Sequence, residues 1–332
     1  MYYPLTILES RPHFFFIAPR DINPMSETTE IRHTLGELAA RQLANTTKTV
    51  PQMQAITPRW LIACLPWVPV EAGTYRVNRV VEARAGAPAD IECSPQEESN
   101  LPESFVDYQE RPREFTLSAM TTVLDVQTRV SDLYRSPYDQ IREQLRLTIE
   151  KVKEKQESEI INNPDYGLLS QAADSMRVQT RDGTPTPDDL DELITRVWKE
   201  PAFFLAHPRA IAAFGRECTY RGVPPATVNL FGSPFITWRG IPLIPSDKLY
   251  LNDNKTNILL LRTGEKRQGV VGLFQPGLPG EVSPSLSVRF MGINRKAIAS
   301  YLISLYCSVA VLTEDALGVL EGVEVDRYHE YQ

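Results

Sequence analysis

Apolar positions change their spacing several times along the chain, and each change predicts a different element. Leu35, Leu38, Ala39 and Leu43 recur at helical spacing in TLGELAARQLANTTKT (34–49), with Thr34 placed as the N-cap. A lone amphipathic helix near a chain end must dock on its own domain or on another subunit. Thr57-Pro58 predicts a second helix, with proline at the first helical position where its missing N–H costs nothing, and Pro66 ends it. From Gly73 the period becomes two, Tyr75, Val77 and Arg79 alternating with Arg76, Asn78 and Val80. A polar, Pro- and Glu-rich connection between Gly86 and Pro112 leads to REFTLSAMTTVLDVQTRV, where Phe115, Leu117, Ala119 and Thr121 share one side. The two strands predict an extended hairpin. A two-stranded ribbon is marginally stable in water, so it calls for a partner surface.

Residues 136–161 give the clearest helix: Ser136 caps it, Pro137 takes the first turn, and Ile141, Leu145, Ile149 and Val152 form one apolar stripe opposite a charged face. So narrow a stripe suits packing on a single sheet. Residues 184–218 read as two helices, broken at Pro201 and restarted at His207-Pro208, with Asp188, Asp189 and Asp191 near the first N-terminus. Short strands follow in SPFITWRGIPLIPSD, NILLLRT, GVVGLF and SLSVRF, the last with Leu286, Val288 and Phe290 on one face. ASYLISLYCSVAVL (299–312) is apolar on both faces, which suits a central strand. Hairpin, long helix, helical pair and strands in that order make an α+β arrangement. No internal repeat is present.

Composition narrows the function more than the fold. The 332 residues, 42% hydrophobic and 23% charged, suit one large or two ordinary globular domains. A formal net charge of -7 argues against packaging nucleic acid, which calls for a basic face. No apolar run approaches the roughly 20 residues that span a bilayer, and HFFFIA (13–18) lacks a signal-peptide cleavage site. Met25, followed by Ser-Glu-Thr-Thr-Glu, is an alternative start that would leave residues 1–24 as an untranslated leader. Cys64, Cys93, Cys218 and Cys307 are scattered without a CxxC pair and read as reduced thiols of a cytoplasmic protein, mostly in core positions.

The sequence offers almost no grouped residues suited to chemistry. His13, His33, His207 and His329 form no metal set, and His207 before Pro208 reads as a structural residue at a helix start. There is no GxSxG elbow, Walker loop or GxGxxG. The carboxylate runs DDLDE (188–192) and EKQESE (154–159) fall on expected solvent faces, so neither predicts acid–base work. Trp60 and Trp67, spaced around a proline, read as interface or core aromatics. No catalytic, cofactor-binding or metal site is expected. A hairpin without a core, an arm without a neighbour and an inert aromatic segment share one explanation, burial on further copies of the chain. Leu38, Leu43, Trp60, Trp67, Tyr75, Val77, Phe115 and Leu117 are the corresponding interface candidates.

The same order of elements resembles the tailed-phage major-capsid fold of the Hong Kong 97 type, and within it the family 2A encapsulins, bacterial protein nanocompartments. Three segments carry the resemblance: ARQLANTTKTVPQM with ITPRWLIACLPWVPVEAGTYRVNRV, then LITRVWKEPAFFLAHPRAIAAFGREC with GVPP and FGSPFITWRGIPLIPSDKLYL, then VRFMGINRKAIASYLISLYCSVAVLTEDALGVLEG. The chain carries no inserted cyclic-nucleotide-binding domain, which places the resemblance with subgroup A rather than B. It implies an N-terminal arm (1–50), the start of the P-domain (51–72), an E-loop hairpin (73–124), the P-domain with its spine helix (125–180), an A-domain (181–292), and the P-domain return strand with the C-terminus (293–332). It further implies an icosahedral shell, most simply of sixty chains, around a cysteine desulfurase cargo serving sulfur metabolism or storage. Any pyridoxal phosphate would then belong to the cargo. The turn TYRGVPPA (219–226) matches the five-fold pore loop, making Arg221, Gly222, Val223 and Pro224 the pore-lining candidates, with a ring of Arg221 favouring anions. The residues leave open an ordinary surface turn there. They also leave open a prophage capsid protein of the same fold, and a soluble hydrolase with an unrecognised site.

Overall fold

Proline and threonine shape the first part of the chain that the structure, a computed structural model, describes: Gly36 and residues 57–71, 73–78, 80–81, 107–128 and 140–329. The arm candidates Leu38 and Leu43, the hairpin tip, Cys93, the Ser136 cap and residues 1–24 lie outside these residues. Helix α1 (Trp60–Cys64) starts later than Thr57-Pro58 predicts. Thr57 is instead drawn away by Glu154, which accepts from its backbone N–H at 2.9 Å and from its hydroxyl, and Arg59 turns into the left-handed region at φ 51. The helix stops at Leu65, extended at ψ 132 as a residue before proline must be.

Strand β1 (Trp67–Pro69) precedes the hairpin, in which β2 (Thr74–Val77) and β3 (Val80–Val81) pair with β5 (Arg113–Thr116) and β4 (Asp107–Tyr108). The second strand does not continue as one unit. Leu117 donates its N–H to Gly73, and beyond it β6 (Ser118–Gln127) leaves the hairpin to pair with a strand far along the chain. Side-chain parity flips there: Phe115 is buried, but Ala119, Thr121 and Val123 face solvent. A slip of one residue exchanges the two faces of a strand.

The spine helix α2 (Gln140–Asn162) is followed by α3 (Leu168–Gln171), β7 (Arg177–Gln179) and α4 (Pro187–Arg196). Thr186 and Asp189 close a capping box at the start of α4. Between α4 and α5 (Pro208–Tyr220) lies not a bare break at Pro201 but β8 (Phe203–Ala206), buried at all four positions. Such a short apolar run carries no period that separates strand from helix. The strands β9 (Ala226–Leu230), β10 (Ser233–Trp238), β11 (Ile241–Pro245), β12 (Lys255–Leu261), β13 (Val270–Phe274), β14 (Glu281–Ser283), β15 (Leu286–Ile293), β16 (Ile298–Val311) and β17 (Leu317–Glu324) complete the chain.

Two sheets result. One has seven strands in the order β7-β17-β12-β8-β11-β10-β9; the other has six, β1-β13-β16-β15-β14 with β6 also on β16. As its apolar faces predict, β16 is central: β15 flanks one edge, and β6 then β13 share the other. The SLSVRF alternation holds only in part, since Leu286 is buried but Phe290 is exposed. The boundaries at 181–292 and 293–332 do not follow the sheets. Strands β13 to β15 belong with β16, while β17, which the pattern did not predict, is an inner strand of the seven-stranded sheet. Arg262, leaving β12, grips Asp315, between β16 and β17, with two hydrogen bonds (2.7 and 3.2 Å), so one part-buried ion pair ties two of the three crossings between the sheets.

Helix α2 lies on the six-stranded sheet, where Val152 joins Leu286, Ile303 and Leu305, with Leu145 and Ile149 against them. Toward its end the stripe widens. Ile160 and Ile161 are fully buried in the large cluster that joins α1, both sheets and α3.

Candidate functional site

The aromatic segment at residues 57–70 is held by its own chain. Trp60 stacks on Phe231 (5.6 Å between centroids) and meets Phe235 edge-on (5.4 Å), so the β9–β10 hairpin closes over α1. Trp67 donates its indole N–H to the Ile62 carbonyl at 3.0 Å. Its ring fills the space a side chain at Gly272 would need, 2.6 Å from an ideal Cβ. Phe115 is buried beside Val70, Val271, Leu273, Ala310 and Leu312, and Tyr75, Val77 and Leu117 pack around them. Tyr75 donates its hydroxyl to Glu265 at 2.6 Å; burial, then that carboxylate, push its phenol up to about 12. For these six interface candidates much of the burial expected from sister molecules comes from within the chain.

The EKQESE run, expected on a solvent face, carries the most buried acid of the spine helix. Glu157 is 1% exposed and Glu154 9%. Glu154 takes Thr57 on one side, Lys248 Nζ at 2.8 Å on another and Arg59 at 3.3 Å. Glu157 accepts only long hydrogen bonds, from the Leu61 N–H (3.3 Å) and the Ser246 hydroxyl (3.4 Å). Burial raises its carboxyl to about 7; the Leu61 bond and Lys248 oppose that, and Glu154 and Asp247 add to it. This cluster pins the segment before α1 and the loop after β11 to α2. Its hydrogen bonds and ion pairs run to the fold itself, so it reads as a joint. The DDLDE run is also structural: Asp189 is 1% exposed in its capping box, and Asp191 accepts from Trp238 Nε1 (2.7 Å) and Arg239 (2.8 Å).

The turn after α5 is the remaining candidate. Gly222 sits at φ +71, which favours glycine, and its N–H reaches the Thr219 carbonyl while that of Val223 reaches Cys218. Val223 is 48% exposed, and Gly222 and Pro224 are exposed too. Arg221 is not a free cation. Its Nε donates to Glu217 at 2.9 Å and its Nη1 to Asp188 at 3.3 Å. Glu217 in turn meets His329 Nε2 at 2.8 Å. Burial acts to raise Glu217, but the bonds from Arg221 and His329 outweigh it and leave the carboxyl below its ordinary value. The Glu217–Arg221 pair was legible as an i,i+4 spacing; His329 and Glu157 carried no local signal.

Among the described residues no group of His, Cys, Asp and Glu is placed to hold a metal. Cys64, Cys218 and Cys307 are free, and burial pushes their thiols up to about 11, 11 and 12, far from reactive thiolates. His207 caps α5, its Nδ1 accepting from the Arg209 N–H at 3.2 Å. No described helix is long and apolar enough to cross a membrane.

Comparison with known proteins agrees with this picture. The family of type 2A encapsulin shell proteins, SrpI-like, matches residues 75–327. The type 2A encapsulin shell protein SrpI of Synechococcus elongatus is 69% identical over 298 residues, covering 90% of this chain and 96% of that protein. The cryo-EM structure of the holo-SrpI encapsulin complex from the same organism superposes with a TM-score of 0.77 at 66% identity, over 90% of this chain and 99% of that one. The capsid of a native GTA particle shares the fold alone, at 16% identity and a TM-score of 0.56 over 84% and 93% of the two chains. The capsid-like α+β fold expected from the order of elements is the one observed, and the relatives are named as shell proteins rather than enzymes. The chain belongs to the SrpI-like family of type 2A encapsulin shell proteins.

Proposed function

We propose that the chain assembles with copies of itself in the bacterial cytoplasm into a closed icosahedral shell, most simply of sixty subunits, around a cargo enzyme. The observation that carries this is the 69% identity to a shell protein over 90% of this chain and 96% of that one. Closed point-group symmetry with repeated heterologous contacts is the ordinary outcome for such a subunit. The cargo is a cysteine desulfurase, carrying its own pyridoxal phosphate, and the shell contributes enclosure rather than chemistry. Small solutes enter through symmetric openings lined by the turn at 221–224, whose exposed Val223 and Pro224 support that role.

Gel filtration and negative-stain imaging of gently lysed material test the assembly: hollow particles are expected, and small discrete oligomers would end the reading. Mass spectrometry of the co-purifying protein, with the visible absorbance of a pyridoxal phosphate Schiff base, tests the cargo. Nucleic acid inside the particles would favour a prophage capsid instead. Arg221→Glu particles tested for entry of an anionic dye address the pore.

A further inference from the structure

The chain's last described residues, 325–329, form no helix or strand, yet they are strapped to α5. The Val325 N–H donates to the Asn254 carbonyl (3.0 Å), and Arg216 donates to the Val325 carbonyl (2.8 Å). Arg327 donates to the Asp182 carbonyl (2.9 Å). The Arg216 guanidinium also lies over the Tyr328 ring at 4.3 Å. His329 then lies flat on Tyr220, 4.0 Å between centroids and 4° between planes, with its Nε2 on Glu217.

That last contact reaches the turn. Glu217 is 5% exposed and uses one carboxylate oxygen for His329 and the other for Arg221. Asp188, on α4, takes the far side of the same guanidinium. Two carboxylates therefore answer one arginine, and the cationic ring that five copies of Arg221 would form is cancelled at its source. A buried carboxylate holds this arrangement only while its own hydrogen bonds are complete, since an unmet acceptor in a dry site is costly. His329 is the donor that completes Glu217.

We propose that the C-terminal tail, through His329 and Glu217, sets the orientation and effective charge of Arg221 at the turn 221–224. Glu217 is a positioning residue, and the tail acts on the turn without lining it. Without the tail's contact Glu217 no longer holds Arg221 in one orientation, and the guanidinium is left more dependent on Asp188 at 3.3 Å. The consequence for solute entry rests on the proposed pore; the effect on Arg221 does not.

Purified assembled particles are treated with phenylglyoxal, an arginine-selective reagent, and the rate of modification at Arg221 is read by peptide mass spectrometry. Arg239, ion-paired with Asp191 at 2.8 Å, serves as the internal control. His329→Ala is expected to raise the Arg221 rate about fivefold, the ratio expected for a lost polar contact of this kind, and to leave Arg239 unchanged. Glu217→Gln gives a larger rise. His329→Gln, which keeps a donor, restores protection. An unchanged Arg221 rate in His329→Ala overturns the proposal, and because His329 lies outside every helix and strand that variant does not depend on refolding the core. Faster labelling without a change in entry of an anionic dye would retire the pore and leave the tail's role standing.

Discussion

Glu157 and Glu217 are both nearly sealed from solvent, at 1% and 5% exposure, yet their carboxyls move in opposite directions. Glu157 is raised to about 7 and Glu217 is lowered. Burial acts the same way on each, disfavouring the charge. The difference lies in what was brought to meet it. Glu157 receives a backbone N–H and a hydroxyl at long range, with Lys248 spent on Glu154 instead. Glu217 receives a guanidinium and an imidazole at 2.9 and 2.8 Å. The state of a buried acid is decided by the depth of its burial and the donors in direct contact together.

The largest expected effect comes from removing the cation at the first site. Lys248→Met leaves Glu154 beside Glu157 with Arg59, at 3.3 Å, as its remaining cation, and breaking a buried pair of this kind costs up to about 4 kcal/mol. The thermal midpoint of the particles at neutral pH should fall sharply, and a small shift would show that Glu154 is already satisfied by Thr57 and Arg59.

Next is Glu157 itself. Its folded value lies above its unfolded one, so the stability it contributes is complete below about 4.5 and is lost as pH rises through about 7. The loss amounts to about 3 kcal/mol at 1.36 kcal/mol per pH unit. Glu157→Gln is expected to be neutral or destabilising at acid pH and stabilising above pH ~7. Thermal scans across that range check it, and parallel wild-type and variant curves would remove the argument.

Glu217→Gln acts with the opposite sign. Its charge stabilises at pH above the ordinary carboxylate value and ceases to do so as pH falls through its lowered one. Glutamine keeps one acceptor but no charge, and weakening the two charge-assisted hydrogen bonds in this way costs about 2 kcal/mol at neutral pH, read as a lower thermal midpoint whose deficit shrinks in acid. The smallest effect is expected at Arg76–Glu114 on the hairpin, a 2.8 Å ion pair between exposed side chains. Arg76→Ala should change stability by no more than about 0.5 kcal/mol, and a large loss would mean the pair is covered when the particle assembles.

Much of the fold was legible because its elements carry their own periods. The stripe Leu145, Ile149 and Val152 does face the sheet, and the two-faced apolar run at 299–312 is the central strand. The misses share a cause. Phe203–Ala206 and Leu317–Glu324 are too short or too uniformly buried to show alternation, and the flip at Leu117, whose N–H turns to Gly73, follows no period. Glu157 looked like a surface residue because a single helix face gives no sign that a second sheet will cover it. His329 lies 112 residues from Glu217, beyond any spacing rule.

What the sequence determined alone was local: which stretches coil, which extend, where proline and glycine interrupt them, and that no spaced set of nucleophiles or metal ligands exists. Its kinship to shell proteins was also written there, in long stretches of matching residues. The tertiary structure decided which charges are buried and who meets them. It placed Trp60 under a distant hairpin, Glu157 beneath a loop, and His329 against the end of α5. The physical reason is that desolvation and hydrogen-bond completion depend on every neighbour at once, and those neighbours come from parts of the chain that no local pattern connects.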